Sequence, residues 1–232
     1  TFCRRGHACC GREYMGHSRG ALRLRSGQKA HCECAFAGDI MLDRYIFGAV
    51  ERISPEAPIP IVQRQETIVI PGGAGNTAAN VSALGARCYL FGVVGEDGAA
   101  RELSAALEEG GIDHRGIIAD ARPTTEKIRI LGNHQQIVRI DHEVSRPLRP
   151  QKTQALCRQL QIRLADCDAV IICDYAKGVV SPELMDCVRK EAKLKGIPVL
   201  ADVRPEHKAY YRNLSFITPN RKETAGMIGE PI

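Results

Sequence analysis

Three short apolar runs set the tightest limit on how this chain can fold. They are CYLFGVVG (Cys88–Gly95), AVIIC (Ala169–Cys173) and IPVLAD (Ile197–Asp202). Continuous runs of this length predict strands buried on both faces, the habit of parallel sheets. Between them lie stretches with helical spacing. Ala99–Glu109 ends at Gly110-Gly111, a good C-terminal stop; Gln151–Leu164 is amphipathic; Pro182–Lys195 carries a proline suited to a first turn. CECAFA (Cys32–Ala37) and LSFITPN (Leu214–Asn220) read as further strands, and a last helix starts at Arg221. Strands alternating with helices predict an α/β fold, a parallel sheet with helices on both faces.

Two regions break that alternation. IFGAVERI and IPIVQRQETIVI have strand character on either side of a proline-rich turn, where an interior helix is excluded. TTEKIRIL (Thr124–Leu131) alternates polar and apolar, and Gln135–Ile140 does so less cleanly. Both are expected in a small second sheet, a lid built from about 44–70 and 113–141.

The formal charge of +5 suggests a nucleic-acid partner until it is located. Arg4, Arg5, Arg12, Arg19, Arg23, Arg25 and Lys29, against Glu13 and Glu33, place the whole excess before residue 36. Of 32 basic and 27 acidic residues, 25 of each remain, so the body is neutral and gives no electrostatic reason to bind DNA or RNA. No apolar run is long enough to cross a bilayer, and no apolar segment follows the leading arginines as in a secretory signal. Residues 1–31 read as a basic, cysteine-containing leader, disordered or non-native. Its Cys3, His7, Cys9 and Cys10 match no paired zinc framework. The later cysteines, Cys88, Cys157, Cys167, Cys173 and Cys187, read as small buried hydrophobes of a reducing, cytoplasmic compartment.

In open parallel sheets, ligands lie beyond the carboxyl ends of the strands. Asp39 and Asp43, Asp174 and Lys177, Asp202 and Arg204, and Asn220 with Glu223 all fall there. Asp39, Asp174 and Asp202 suit helix or turn caps equally well. Asn220 and Glu223 also fit a capping box. PGGAGNTAAN (Pro71–Asn80) places adjacent glycines before a helix start at Ala74. Glycines admit close backbone approach, and Asn76 both donates and accepts, which suits a ligand dense in hydroxyls. A dinucleotide-binding dehydrogenase is disfavoured, because this glycine loop follows lid-like strands and not the first buried strand of a βαβ unit.

GDIMLDRY, PGGAGNTAAN and TPNRKE together resemble the ribokinase (PfkB) family of sugar kinases. RISPEAPIP, FGVVGEDG, RPTTEKIRI, QQIVRID and DYAKGV extend the resemblance over about Cys34 to Gly229 and point to its heptose 7-phosphate kinase branch. The resemblance implies a ribokinase-like sheet with a β-lid, and transfer of the γ-phosphate of Mg-ATP to the anomeric hydroxyl of a heptose 7-phosphate. It implies Asp43, Gly72, Gly73, Asn76 and Asp174 at the sugar. Lys127, Arg129 and Lys177, with Arg139 a weaker candidate, are expected at the substrate phosphate from charge and position. Asn220 and Glu223 match the family's NxxE motif, with Glu223 holding Mg²⁺ through water. Arg204 is expected at the nucleotide phosphates, although its surroundings, DVRPEH, depart from the family pattern. The resemblance also implies a homodimer formed through the lid.

The family's catalytic base, an aspartate in a GAGD-type turn, has no counterpart in these 232 residues. It is expected beyond Ile232, leaving the C-terminal part of the fold missing and the chain alone inactive. The alternatives are another PfkB sugar or sugar-phosphate kinase, and a non-catalytic sugar-phosphate binding module.

Overall fold

The computed structural model describes residues 32–133 and 135–232. The leader 1–31, including the Cys3, His7, Cys9 and Cys10 set, lies outside the described residues. The chain runs β1 (Glu33–Gly38), β2 (Ile40–Ile53), β3 (Pro60–Gly73), α1 (Ala74–Ala83), β4 (Arg87–Val94), α2 (Gly98–Glu109) and β5 (Asp113–Ala119). It continues with β6 (Glu126–Gly132), β7 (Gln135–His142), α3 (Pro150–Leu164), β8 (Ala169–Cys173), α4 (Pro182–Lys195) and β9 (Val199–Asp202). A 3₁₀ turn (Pro205–Tyr211), β10 (Phe216–Ile217) and α5 (Arg221–Ile228) follow.

Six strands form a sheet in the order β10-β9-β8-β1-β4-β5, every pair parallel. The period of two along β1 sorts its side chains between two cores. Ala35 and Ala37 join Leu156, Leu160, Leu184 and Val188 of α3 and α4. Cys34 and Phe36 join Ala74, Ala78, Leu103 and Leu107 of α1 and α2 on the other face. The α/β expectation, with helices on both faces, therefore holds. Burial pushes the Cys88 thiol up to about 11 and those of Cys34, Cys167 and Cys173 up to about 12, so these four are inert packing groups.

Local signals end the helices where the sequence asks. Ser181 caps α4 by accepting the Leu184 amide at 3.3 Å, Pro182 takes the first turn, and Gly196 closes the helix in the left-handed region. Asp97 caps α2 by accepting the Ala100 amide at 2.9 Å.

The second sheet has four strands in the order β3-β2-β6-β7. β2 leaves the end of β1 with only Asp39 between them, so this sheet rises directly from the rim of the first. Arg44 fastens its base, donating to Glu126 at 2.6 Å and to Glu102 of α2 at 2.9 and 3.0 Å. One boundary needs correction. Asp113–Ala119, expected within the lid span 113–141, pairs in parallel with β4 at the edge of the large sheet. The α2 crossover delivers this strand beside β4, and Gly116 allows it to pass close against the Phe91 ring.

Candidate functional site

Because all six strands of the large sheet run the same way, the residues following β1, β8, β9 and β10 share one rim. Asp39 stands at its centre and is almost wholly buried. One carboxylate oxygen accepts the amides of Tyr175 at 2.8 Å and Lys177 at 3.1 Å; the other accepts Val179 at 3.2 Å. Burial raises its pKa above the ordinary value against the lowering effect of these amides, with the neighbouring Asp174 adding to the rise. Asp39 thus shapes the 174–179 loop.

Asp174 occupies a different position from that expected of a sugar ligand. Its side chain is 0% exposed, and its oxygens accept the Ala176 amide at 2.8 Å and the Tyr211 hydroxyl at 2.6 Å, with His207 Nδ1 at 2.7 Å. Tyr211 in turn accepts the Arg204 amide at 2.9 Å. Strand β8 ends in a closed polar knot, and Asp174 acts on the site by holding the loop and Arg204 in place.

The open part of the rim lies where the second sheet rises. Asp43 of β2 accepts Arg129 Nη1 at 2.6 Å, and Arg129 lies 5.0 Å from the Tyr45 ring centre. Burial works against the Arg129 cation, but Asp43 outweighs it and holds the guanidinium pKa above its ordinary value. Gly72 and Gly73 contribute by leaving room for protein groups. A Cβ on Gly72 would sit 2.6 Å from Asp43 Oδ2, and one on Gly73 would sit 2.4 Å from the Asp39 carbonyl. Gly73 also has φ of +57°, which a side chain rarely permits. Asn76 is exposed in the first turn of α1, with Asn80 3.5 Å away as its hydrogen-bond neighbour.

Lys127 and Arg129 share one face of β6, as their spacing requires. Lys127 donates to Asp141 and Glu143, both at 3.3 Å. Lys177, reaching in from the 174–179 loop, donates to the other oxygen of Glu143 at 2.6 Å. Arg139 pairs with Asp141 at 2.9 Å. Lys127, Arg129 and Lys177 are therefore brought to the junction of the two sheets, each already matched to a carboxylate.

Further along the rim, Arg204 donates to Glu223 at 3.2 Å and stacks over the Tyr175 ring at 5.2 Å. The capping box is formed in full: Asn220 accepts the Glu223 amide at 3.0 Å, and Glu223 accepts the Asn220 amide at 2.8 Å. Burial raises the Asp202 pKa, Tyr175 lowers it, and the like charge of Glu223 raises it further. Two acidic side chains and one arginine thus meet beyond β9 and β10. Among the described residues no group of three or more His, Cys, Asp or Glu side chains is arranged to hold a metal ion. This donor set fits a hydrated Mg²⁺ held from outside its water shell, and does not fit an all-protein cage.

Three contributors were not singled out from the sequence. Glu143 joins the two lysines. Asp97 accepts the Thr124 amide at 2.8 Å and hydroxyl at 2.7 Å, tying the entrance of β6 to the cap of α2. Arg122, buried with Asp120 at 2.8 Å, donates to the Lys177 carbonyl at 3.0 Å and the Arg146 carbonyl at 3.1 Å. The glutamate-aspartate-glycine step at 96–98, a capping signal, was the one local hint among them. A cavity of about 530 Å³ between α3 and α4, lined by Leu148, Thr153, Cys157 and Ser181 among others, contains none of the rim residues.

A parallel α/β sheet carrying a four-stranded β-lid at its carboxyl rim is the architecture of ribokinase-like sugar kinases. Solved structures share it. Phosphofructokinase-2 from Escherichia coli, in complex with substrates and products, superposes with a TM-score of 0.67 at 17% identity, over 86% of this chain and 64% of that one. Arabidopsis thaliana ribokinase, complexed with ribose and ATP, gives 0.60 at 18% identity, over 87% and 64%. Residues 33–232 match the family described as pfkB family carbohydrate kinase, and the chain belongs to that family. It is 43% identical over 199 residues to the bifunctional protein HldE of Azorhizobium caulinodans, spanning 85% of this chain and 42% of that protein. The HldE of Caulobacter vibrioides is 41% identical over 208 residues, spanning 86% and 42%. The chain therefore spans less than half the length of these curated relatives.

Proposed function

We propose that the chain is the sugar-binding part of a kinase that transfers the γ-phosphate of ATP to the anomeric hydroxyl of D-glycero-β-D-manno-heptose 7-phosphate. The product is the 1,7-bisphosphate, destined for ADP-heptose and lipopolysaccharide core synthesis in the cytoplasm. The observation that carries this reading is the meeting of Asp43–Arg129 with Lys127 and Lys177 at the junction of lid and rim. A carboxylate at hydrogen-bonding height orients sugar hydroxyls, and lysines beside it suit a phosphate at the far end of the same ligand. Asn76 is exposed, and its side-chain amide beside Asn80 can add a further hydroxyl contact. Identity above 40% to two HldE proteins supports a heptose over other acceptors.

Arg204 takes the nucleotide phosphates in this reading. Glu223, with Asp202 behind it, holds the water shell of Mg²⁺, which when bound neutralises charge on the transferring phosphoryl group. Asn220 holds Glu223 in place through the cap. In this reading the sugar phosphate is bound by these residues, and the base that completes transfer is a GAGD-type aspartate that they do not include. The lid has two open edges, β3 and β7, with Ile68, Ile70, Val138 and Ile140 exposed, which supports pairing of two lids into a homodimer.

Titration calorimetry with heptose 7-phosphate, unphosphorylated heptose, fructose 6-phosphate and ribose tests the reading. Tightest binding of heptose 7-phosphate is expected. Equal binding of the bare and phosphorylated heptose rejects the phosphate subsite, and preference for fructose 6-phosphate reassigns the acceptor. Incubation with Mg-ATP and heptose 7-phosphate is expected to yield no bisphosphate.

A further inference from the structure

Glu143 stands just past β7, where the chain leaves the lid and descends towards α3. Its carboxylate is divided between two cations of different origin: Lys177 of the rim loop at 2.6 Å and Lys127 of the lid at 3.3 Å. The three side chains are 22%, 20% and 17% exposed, so the cluster is shielded yet reachable from the open rim. The backbone on either side is fixed independently of this carboxylate. Arg122 holds the Lys177 carbonyl, Asp39 holds the Lys177 amide, and ladder bonds of β6 hold Lys127. The carboxylate can therefore leave without unbuilding either lysine's position.

Two ammonium groups sharing the two oxygens of Glu143, with Lys127 held at 3.3 Å by Asp141 as well, form a cradle already sized for an oxyanion. A phosphate dianion brings three acceptor oxygens and about twice the charge, and so outcompetes a single carboxylate for the same pair. Glu143 is kept ionised in the cluster: burial acts against its charge, but Lys177 and Lys127 prevail and hold its pKa below the usual carboxylate value. A bare sugar offers nothing to replace it.

We propose that Glu143 is an internal stand-in for the substrate phosphate, a carboxylate that bridges Lys127 and Lys177 until the phosphate of a sugar phosphate displaces it. Glu143 is then a specificity-determining residue. It sets a threshold that a phosphorylated ligand crosses and an unphosphorylated or weakly charged one does not. This rests on the reading of Lys127 and Lys177 as the phosphate subsite.

The test is calorimetry on the full 232-residue chain, with inorganic phosphate, heptose 7-phosphate and bare heptose as probes. Glu143→Gln keeps the shape and removes the competing charge. Affinity for both phosphate-bearing probes is expected to rise by about fivefold, the scale of a partly exposed ion pair, with bare heptose unchanged. Glu143→Asp keeps the charge and shortens the reach, and is expected to rise less. Unchanged or weaker phosphate binding by Glu143→Gln overturns the proposal, as does loss of its cooperative thermal melt, because Glu143 would then be a permanent strut. Lys127→Met and Lys177→Met separate this failure from that of the parent reading. If both leave phosphate binding by the parent chain intact, the subsite itself is misplaced. If both weaken it while Glu143→Gln does not strengthen it, only the stand-in role fails.

Discussion

The carboxylate of Asp39 accepts the backbone amide of Lys177 at 3.1 Å, joining positions 138 residues apart. The same carboxylate takes the amides of Tyr175 and Val179. One side chain at the end of β1 therefore fixes the loop that carries Lys177 into the site. Asp39→Ala leaves three amides without their acceptor, and a loss of about 3 kcal/mol of stability is expected in urea denaturation. Asp39→Asn is expected to lose less, since one oxygen remains.

The pH dependence of that pair of proteins has a definite sign. The folded pKa of Asp39 is raised above the ordinary 3.8. The resulting stabilisation is complete below that ordinary value and is lost as pH rises through the folded pKa. The stability advantage of the natural protein over Asp39→Asn is expected to shrink over that interval and then level off. An advantage that grows with pH in parallel urea titrations would show that Asp39 is held ionised.

Gly72 and Asp43 give a second test. A methyl group at Gly72 would lie 2.6 Å from Asp43 Oδ2 and 2.7 Å from Met41 Cγ, so one of them must move. Gly72→Ala is expected to cost about 1–3 kcal/mol in a thermal melt. It is also expected to weaken heptose 7-phosphate binding about tenfold, the cost of losing one charged hydrogen bond. Binding that stays at the natural level while stability falls would argue against the proposed contact of Asp43 with the sugar.

The reach of the sequence ends where contacts stop being local. Apolar runs and helix caps depend on neighbours a few residues away, so β4, β8, α2 and α4 could be read directly. The Asn220–Glu223 capping box could be read for the same reason, as a spacing of three. The glycine pair was legible as a place needing no side chain, but which protein atoms crowd it was not: they belong to Asp39, Met41 and Asp43. Asp174 looked like its neighbours at the other strand ends, and its closure by Tyr211 and His207 depends on a segment more than thirty residues away. The assignment of Asp113–Ala119 to the lid went astray because no local signal says which sheet a segment joins, and its partner β4 lies across the α2 crossover. Glu143 and Arg122 depend on loops that meet through the topology.

The cap of α5 can be tested locally. Asn220→Ala removes the acceptor for the Glu223 amide, and a loss of about 1 kcal/mol is expected. Hydrogen exchange reads it locally: amides at the start of α5 should exchange several-fold faster, with those of β1 and β4 unchanged. Uniform acceleration across the chain would show that α5 is part of the global folding unit and not a separately fraying end.

Arg122 offers the sharpest test of how the site is held. Its side chain is 4% exposed, as is that of Asp120, and this buried pair is joined to the rim loop. The guanidinium also donates to the carbonyls of Lys177 and Arg146, so it crosslinks the end of β5, the 174–179 loop and the approach to α3. Arg122→Met leaves Asp120 buried without its cation, and a loss of about 3–5 kcal/mol is expected. The double variant Asp120→Asn with Arg122→Met removes both charges and is expected to recover part of that loss. It cannot restore the bond to the Lys177 carbonyl. If that bond positions the loop, the double variant regains stability in urea denaturation while binding of heptose 7-phosphate stays weakened. Recovery of both together would show that Arg122 serves the fold alone.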